Sequence, residues 1–477
     1  MEKFSAIKIK ELRKKNHLSQ TELGERLGIS NRAVSKWEKG LSKPTLKNVY
    51  SLAKIFGVSV DYFYSDEEIK AVKDTVSGME SLRELYKIGR GPSSSHTIGP
   101  ERACKIIKEK YPDADLFKVT LFGSLSKTGE GHGTDSVIKK TLYPIKTVIK
   151  FNYTENNLPH PNTMEVAAFL KDEEIGKETV YSVGGGSIAF KDKEYSAPKR
   201  IYKLDKFADI LKYLKAEDMR LYEYALETED AGFKDYMRLV WEQMKASIKE
   251  GLNTEGVLPG ELQLQRKAKF LYNSQHIDET AQTKENRMVC AFAFAVSEQN
   301  AAGETIVTAP TCGAAGVLPA VMYYNQVKNG FSDERIVNAL ITAGVIGNLI
   351  KTNASISGAE CGCQAEIGSA CAMAAAAMGE LFELDVEKIE YAAEIAIEHH
   401  LGLTCDPICG LVQIPCIERN AVASMRAINA VNLASLLWST RKISLDNIIR
   451  TMKETGQDLK ASYRETSEAG LAKINLR

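Results

Sequence analysis

Six of the chain's nine cysteines lie within residues 357–420, in two groups on turns rich in Gly and Pro. A helical pattern from Asp385 to His400 separates the groups. The spacings Cys-x-Cys and Cys-x3-Cys differ from the Cys-x2–4-Cys pairs of structural zinc and favour an iron–sulfur cluster. The alternative is that these cysteines pack as small apolar residues, which is the expected role of Cys371 inside the helical run 369–373.

A histidine with three preceding hydroxyl groups marks a second candidate site. His96 lies in the segment 91–100, which begins and ends with Gly-Pro, and a helix is predicted over 101–110. We expect this segment to be a loop and not helix interior, with its serines and the amide of Gly99 facing a carboxylate. The serines are Ser93, Ser94 and Ser95.

A third stretch places one histidine among glycines. His132 is flanked by Gly131 and Gly133, after a predicted strand over 119–125. Three glycines around one imidazole predict a loop that exposes the ring. A neutral imidazole titrates near physiological pH, so His96 and His132 are both candidates for a general base.

Charge is distributed unevenly along the 477 residues. Residues 1–64 carry 13 Lys/Arg against 6 Asp/Glu, about +7, and the remainder carries 49 against 56, about −7. No apolar run is long enough to span a bilayer, and the N-terminus lacks an apolar signal region. We therefore expect a cytoplasmic protein with a basic N-terminal module and reduced cysteines.

The basic module resembles the Cro/C1-type helix-turn-helix family. Five short helices are predicted, with a capping box at Ser19 and Glu22 and a turn at 28–30. The resemblance implies that the module binds duplex DNA, although a folded relic or a protein-interaction module is the alternative. The residues expected to contact DNA are Gln20, Ser30, Asn31, Arg32, Ser35 and Lys36.

The rest of the chain resembles the bacterial iron–sulfur L-serine dehydratases. The motifs are 91–100 and 131–135 for the β portion, then 310–316, 357–368 and 404–421 for the α portion. The resemblance implies elimination of water from L-serine to give pyruvate and ammonia, in amino-acid catabolism and gluconeogenesis. It also implies a homodimer.

The resemblance further implies which residues form the site. A [4Fe–4S] cluster with one open iron would be held by Cys363, Cys405 and Cys416. The expected catalytic residues are His96, His132 and Ser94, and the expected substrate-binding residues are Ser93, Ser95, Thr97, Thr134, Thr311 and Asn353. Some relatives cap the open iron with a cysteine of the C-terminal tail, but the last cysteine here is Cys416.

The part of the chain that resembles the dehydratases has two alternative interpretations. A pyridoxal-phosphate deaminase needs a Schiff-base lysine beside a Gly-rich phosphate loop, which this sequence lacks. The alternative that is not an enzyme is a transcription regulator that senses serine or redox state through the cluster.

The pattern predicts a multidomain protein. An all-α helix-turn-helix module spans 1–66 and a linker spans 67–80. An α/β domain of the dehydratase β type follows over 81–212, then a mostly α-helical catalytic domain of the α type over 213–477, where small residues predict close helix packing.

Overall fold

The structure is a computed structural model that describes residues 6–16, 18–39, 42–56, 58, 63, 78–155, 158–191, 198–275 and 277–474. The chain forms two compact units, Met1–Val76 and Ser77–Arg477. Within the described ranges, no helix is long and apolar enough to cross a membrane.

The first unit contains four described helices. They are α1 (Ala6–Lys15), α2 (Gln20–Leu27), α3 (Asn31–Glu38) and α4 (Leu46–Phe56). The predicted capping box is confirmed, because Ser19 Oγ accepts from the Glu22 amide and the Glu22 carboxylate accepts from the Ser19 amide. Gly28, at φ +67°, ends α2 in the left-handed conformation that glycine adopts without strain. The fifth predicted helix falls mostly on residues outside the described ones.

One partly buried ion pair connects the first three helices. Arg13 Nε donates to Glu38 Oε1 at 2.6 Å, and Arg13 Nη1 donates to the Leu18 carbonyl at 2.7 Å. Gln20 Nε2 donates to the second oxygen of Glu38 at 2.8 Å. Beside these contacts, the apolar side chains of Leu23, Val34 and other residues form the core of this unit.

We predict that Glu38→Ala destabilises the first unit by about 2 kcal/mol, because it leaves the partly buried Arg13 guanidinium without its carboxylate partner. Urea unfolding of a fragment of residues 1–76, followed by circular dichroism, measures the change. The matched control is Glu25→Ala on the exposed face of α2, which should alter stability by less than about 0.5 kcal/mol. Equal effects of the two variants would contradict this account.

The second unit contains one five-stranded sheet and two strand pairs. The sheet order is β4-β3-β5-β6-β7, with β3 and β4 parallel and the other neighbours antiparallel. The short pairs are β1 with β8 and β2 with β9. The strands are β1 (Met79–Glu80), β2 (Ile88–Arg90), β3 (Leu116–Phe122), β4 (Lys146–Asn152), β5 (Thr163–Leu170), β6 (Glu173–Ser182), β7 (Ile188–Phe190), β8 (Arg200–Tyr202) and β9 (Thr305–Val307).

Helices make up most of this unit after β8. The helices beside the sheet are α5 (Gly99–Lys110), α6 (Ser124–Lys127) and α7 (Thr134–Leu142). The later helices are α8 (Phe207–Glu217), α9 (Leu221–Thr228), α10 (Phe233–Asn253), α11 (Ala268–Asn273), α12 (Ala281–Ala301), α13 (Val317–Asn329), α14 (Asp333–Asn353), α15 (Gly358–Cys361), α16 (Ser369–Leu381), α17 (Val386–Glu398), α18 (Cys416–Leu437) and α19 (Leu445–Asp458).

Helix α16 lies at the centre of the helical part. Every residue of α16 is buried, and the helix packs against α13, α14, α17 and α18. Its run of alanines lets the neighbouring helices approach closely, as the sequence predicts. Cys371 lies inside α16, where its thiol contacts the Ala423 carbonyl at 3.2 Å. Its expected role in packing is confirmed.

The order of elements agrees with the predicted one, with helices, then a region with a sheet, then a mostly helical region. Strand β2 pairs with β9, so backbone hydrogen bonds join residues 81–212 to residues 213–477 within the second unit. The boundary predicted at 212 and 213 stays a prediction.

Two local predictions were wrong. Residues Ser94–Ile98 form a π-helical turn that runs directly into α5, so His96 lies on helical backbone and not on a loop. His132 is 1% exposed, because the glycine-rich turn folds inward. The glycines there permit close backbone packing, since a Cβ on Gly131 would lie 2.8 Å from the Cys409 carbonyl oxygen.

Candidate active site

Three thiols from separate turns lie together in the interior of the second unit. Cys363 follows Gly362, whose φ of +73° brings the chain out of α15. Cys405 precedes a proline-containing turn, and Cys416 is the first residue of α18. All three side chains are buried. The Cys363 thiol shares a hydrogen bond with Cys405 and interacts electrostatically with Cys416, so the three predicted ligands are neighbours.

Electrostatics distinguish Cys363 from the other two thiols. A hydrogen bond with Cys405 lowers the pKa of Cys363 to about 6, and the nearby Arg419 guanidinium acts in the same direction. The same hydrogen bond raises the pKa of Cys405 well above its ordinary value, and burial raises the pKa of Cys416. Arg419 is fixed by donation from Nη1 to the Thr404 carbonyl at 2.6 Å. Thiolates are the form that binds soft metals, so Cys363 is the thiol of the three that is best prepared to bind one.

The two histidines form a stacked pair. The ring centroids of His96 and His132 lie 4.4 Å apart at an interplanar angle of 24°. Burial lowers the pKa of His96 well below its ordinary value, and His132 adds to this effect. Burial also lowers the pKa of His132 to about 4. Both rings are therefore neutral at physiological pH and can accept a proton.

Hydrogen bonds assign the basic nitrogen of His96. Ser124 Oγ and Thr128 Oγ1 lie 3.2 and 2.9 Å from its Nε2. Ser124 Oγ donates its proton to the Glu465 carbonyl, and Thr128 Oγ1 donates to the Ser124 carbonyl. Since both hydroxyls donate elsewhere, they accept from His96 Nε2–H. The basic nitrogen is therefore Nδ1, which lies 2.9 Å from Ser95 Oγ.

The same reasoning identifies the basic nitrogen of His132. Its Nδ1 lies 2.7 Å from the Thr128 carbonyl oxygen, which can only accept. Nδ1 therefore carries the proton and Nε2 is basic. Both basic nitrogens face one carboxylate oxygen, Glu465 Oε1, which is 3.5 Å from His96 Nδ1 and 3.9 Å from His132 Nε2.

The C-terminal segment brings Glu465 into the site. The Glu465 amide donates to the Cys405 carbonyl at 2.8 Å, and the Cys405 amide donates to the Tyr463 carbonyl at 2.8 Å. Glu465 adopts φ +55°, a region that residues other than glycine rarely occupy. Burial raises the pKa of the Glu465 carboxyl to about 8, and Cys363 contributes in the same direction.

A cavity borders His132, one ring of the imidazole pair. It has a volume of about 670 Å³ and is lined by His132, Thr128 and Cys409 among other residues. On the other side of α6, a cavity of about 610 Å³ is lined by Ser124, Cys361 and other residues. The first cavity therefore brings the His132 ring, and not the His96 ring, to its wall.

The hydroxyl residues before α5 are buried around His96. Ser93 Oγ accepts from the His96 amide at 3.2 Å, and Thr97 Oγ1 donates to the Ser93 carbonyl. Ser94 is buried, and its carbonyl accepts from the Gly99 amide. The expectation that the Gly99 amide binds a carboxylate was therefore wrong, because the π-helical turn uses that donor itself.

The other predicted substrate-binding residues differ in their surroundings. Thr134 Oγ1 is buried without a hydrogen-bond partner among the described residues. Thr311 Oγ1 donates to Glu366 Oε1 at 2.7 Å, in the neighbourhood of Cys363. Asn353 donates both amide hydrogens to the carbonyls of Asp205 and Leu349. No described contact joins Asn353 to the imidazole pair.

The residues predicted to contact DNA lie in the first unit. Asn31, Arg32 and Lys36 are exposed on α3, and Ser35 is half-buried. Ser30 caps α3 by accepting from the Ala33 amide. The side chain of Gln20 is already bonded to Glu38, as described above.

Sequence reasoning missed several residues of the site. They are Ser124, Thr128, Glu366, Arg419 and Glu465. Arg419 and Glu366 stand inside motifs that the family resemblance uses, so their polar character beside cysteines was a usable signal. Glu465 stands in a polar stretch near the C-terminus that has no such signal.

Family models match three parts of the chain. A model described as serine dehydratase alpha chain matches residues 162–472, and one described as serine dehydratase beta chain matches residues 81–143. A helix-turn-helix model matches residues 9–63.

Characterised relatives are similar over most of the chain. L-serine dehydratase of Haemophilus influenzae is 40% identical over 450 residues, which cover 83% of this chain and 99% of the relative. L-serine dehydratase 1 of Escherichia coli strain K12 is 40% identical over 83% of this chain and 99% of the relative. The L-serine dehydratase of Streptomyces coelicolor is 38% identical over 82% of this chain and 98% of the relative.

Proposed function

The chain belongs to the serine dehydratase family, and on that premise we propose that it eliminates water from L-serine to give pyruvate and ammonia. The observation that carries the proposal is the stacked pair of neutral, buried imidazoles, of which His132 lines a cavity. Both rings direct a basic nitrogen toward Glu465 Oε1, and the pKa of that carboxyl is raised in part by the nearby thiol of Cys363. A sensor that only bound serine would not need this pair of bases.

We propose that Cys363, Cys405 and Cys416 hold an iron–sulfur cluster of the [4Fe–4S] type. Three buried thiols, two of which share a hydrogen bond, fit such a group, and the Arg419 guanidinium offsets part of the thiolate charge. When bound, the cluster supplies a Lewis acid for the hydroxyl and carboxylate oxygens of the substrate. Gly358 leaves room there, since a Cβ on it would lie 3.1 Å from Cys405 Sγ.

His132 is the better candidate for the base that removes the Cα proton. Its Nε2 is directed toward Glu465 and the ring lines the cavity, whereas His96 Nδ1 is within hydrogen-bond distance of Ser95 Oγ. Nε2 would receive the proton, and Nδ1–H would stay bonded to the Thr128 carbonyl and hold the ring in place. His96 would position His132 by stacking.

The remaining steps need little from the protein. Loss of the Cα proton and of the β-hydroxyl as water gives 2-aminoacrylate. This enamine tautomerises to an imine, and water hydrolyses the imine to pyruvate and ammonia.

Anaerobic purification, an iron and sulfide count, and a pyruvate assay with L-serine test the proposal. We expect about four irons per chain and serine-dependent pyruvate. Cys363→Ser, Cys405→Ser and Cys416→Ser should each lower the iron content. Cys371→Ser is the matched control, because its thiol packs inside α16. A filled cluster without turnover would favour the alternative, a regulator that senses serine or redox state.

We predict that His132→Ala keeps the iron content of the wild type but lowers kcat by about 100-fold or more, because the variant lacks the proposed base. Visible absorbance of the cluster and pyruvate formation give the two readouts. His96→Ala should also lower kcat with the iron retained, since His132 loses its stacking partner. Loss of iron in either variant would assign that histidine to the structure of the cluster site.

A second function is supported by the first unit. We propose that it binds duplex DNA, because a helix-turn-helix model matches residues 9–63 and α3 exposes Asn31, Arg32 and Lys36. The excess of about seven positive charges in residues 1–64 favours a polyanion.

We predict that Lys36→Ala weakens DNA binding of the full chain and reduces the slope of log affinity against log salt by about 1, because one phosphate contact is lost. Fluorescence anisotropy with labelled duplexes over a salt series measures both quantities. Lys54→Ala, an exposed lysine on α4, is the control and should bind like the wild type. Absence of binding at low salt to any of many sequences would exclude the DNA role.

A further inference from the structure

The cavity of about 610 Å³ takes no part in the reaction steps proposed above. The turn before β5, helices α15 and α19 and the C-terminal segment all contribute to its wall. Three basic side chains line it, those of Lys127, Lys453 and Arg464. Lys127 pairs with Glu468 at 2.6 Å. Lys453 and Arg464 are therefore the cations that a ligand in this cavity could use.

Arg464 is the more buried of these two cations, and among the described residues it has no carboxylate partner. Its Nη1 donates to the Glu360 carbonyl at 3.1 Å. Its Nε is buried without a hydrogen-bond partner among the described residues, and no described hydrogen bond uses its Nη2. A buried donor that stays unpaired is costly, so a ligand that accepts from this guanidinium would stabilise the structure.

Lys453 supplies a second positive charge from α19. Its side chain is exposed, and no described residue forms an ion pair with it. Lys453 and Arg464 both interact electrostatically with the thiol of Cys361, which lines the same cavity. The two positive charges therefore lie near one part of the cavity wall.

The acidic side chains of the lining limit the charge that a ligand can carry. They are Glu155, which is exposed, and Glu360. Glu360 accepts from Ser355 Oγ and from His160 Nε2, which carries the proton because the Asn162 amide donates to Nδ1 of the same ring. Two carboxylates face the two available cations, so a dianion would be repelled more than a monoanion.

We infer that this cavity binds a monocarboxylate, whose carboxylate group accepts from Arg464 and lies near the Lys453 ammonium. A guanidinium donates two parallel N–H groups to a planar carboxylate, which makes this pairing both strong and specific. Pyruvate, the acid that the proposed reaction releases, belongs to this class and is the smallest convenient probe. Binding of added pyruvate is independent of turnover and thus goes beyond the proposed reaction.

Isothermal titration calorimetry of the anaerobic holoenzyme with pyruvate tests the site. Arg464→Gln should weaken binding roughly 10- to 100-fold, because charge-assisted hydrogen bonds are lost. Lys453→Gln should weaken binding by about two- to fivefold, because that charge is exposed. Pyruvamide, which keeps the shape without the charge, and sulfate, a dianion, should both bind more weakly than pyruvate.

Three control variants locate the binding. Pyruvate can also occupy the proposed active site as its product, so a site that persists in His132→Ala identifies the cavity. Lys460→Gln, an exposed lysine of the same segment outside the cavity lining, should bind pyruvate like the wild type. Lys453→Gln should keep the iron content of the wild type and its KM for L-serine within about twofold.

Four outcomes would overturn the inference. Equal binding of pyruvate and pyruvamide would show that the cavity does not recognise charge, and tighter binding of sulfate would assign it to dianions. Unchanged pyruvate binding in both Arg464→Gln and Lys453→Gln would place the carboxylate elsewhere. A parallel rise of the KM for L-serine in Lys453→Gln would show that the cavity belongs to the active site. Failure of the wild type to form pyruvate from L-serine would concern the proposed function alone.

Discussion

The site depends on the return of the C-terminal segment to the turn that carries Cys405. Two backbone hydrogen bonds of 2.8 Å hold the segment, one on each side of Cys405. Ser124 fixes it from the other direction by donating to the Glu465 carbonyl at 2.7 Å. These contacts join the thiol turn, α6 and the tail. Residues far apart in sequence thus share one buried volume, and the left-handed backbone of Glu465 is held by contacts on both sides.

Burial then determines the protonation state of the two imidazoles. In water each ring would exchange tautomers and take up a proton near pH 6.5. Inside the protein the carbonyl of Thr128 fixes the proton of His132 on Nδ1, and the two hydroxyls beside His96 fix its proton on Nε2. Desolvation keeps both rings neutral. Both rings are therefore neutral and held in one orientation, and the hydrogen bond that holds His132 lies on the nitrogen opposite its basic Nε2.

Sequence patterns predicted the parts of the structure that local physics controls. The capping box at Ser19, the order of elements and the packing of Cys371 in α16 follow from periodicity, turn residues and small side chains. The grouping of three cysteines followed from a family resemblance. Burial of His132, the π-helical turn at Ser94–Ile98 and the insertion of Glu465 depend on long-range packing. No local pattern encodes them, because the partners are distant in sequence.

Charge balance among the buried groups explains why one thiol differs from the others. The Cys405 hydrogen bond and the Arg419 guanidinium lower the pKa of Cys363, whereas burial raises the pKa values of the Glu366 and Glu465 carboxyls and favours their protonated forms. Cys363 therefore carries the negative charge that Arg419 stabilises, and the two carboxyls beside it stay neutral. A metal bound by Cys363, Cys405 and Cys416 would add positive charge and would lower the pKa values of the other two thiols as well, because thiols lose their protons when they bind a metal. Metal binding and proton release are thus coupled in this buried volume.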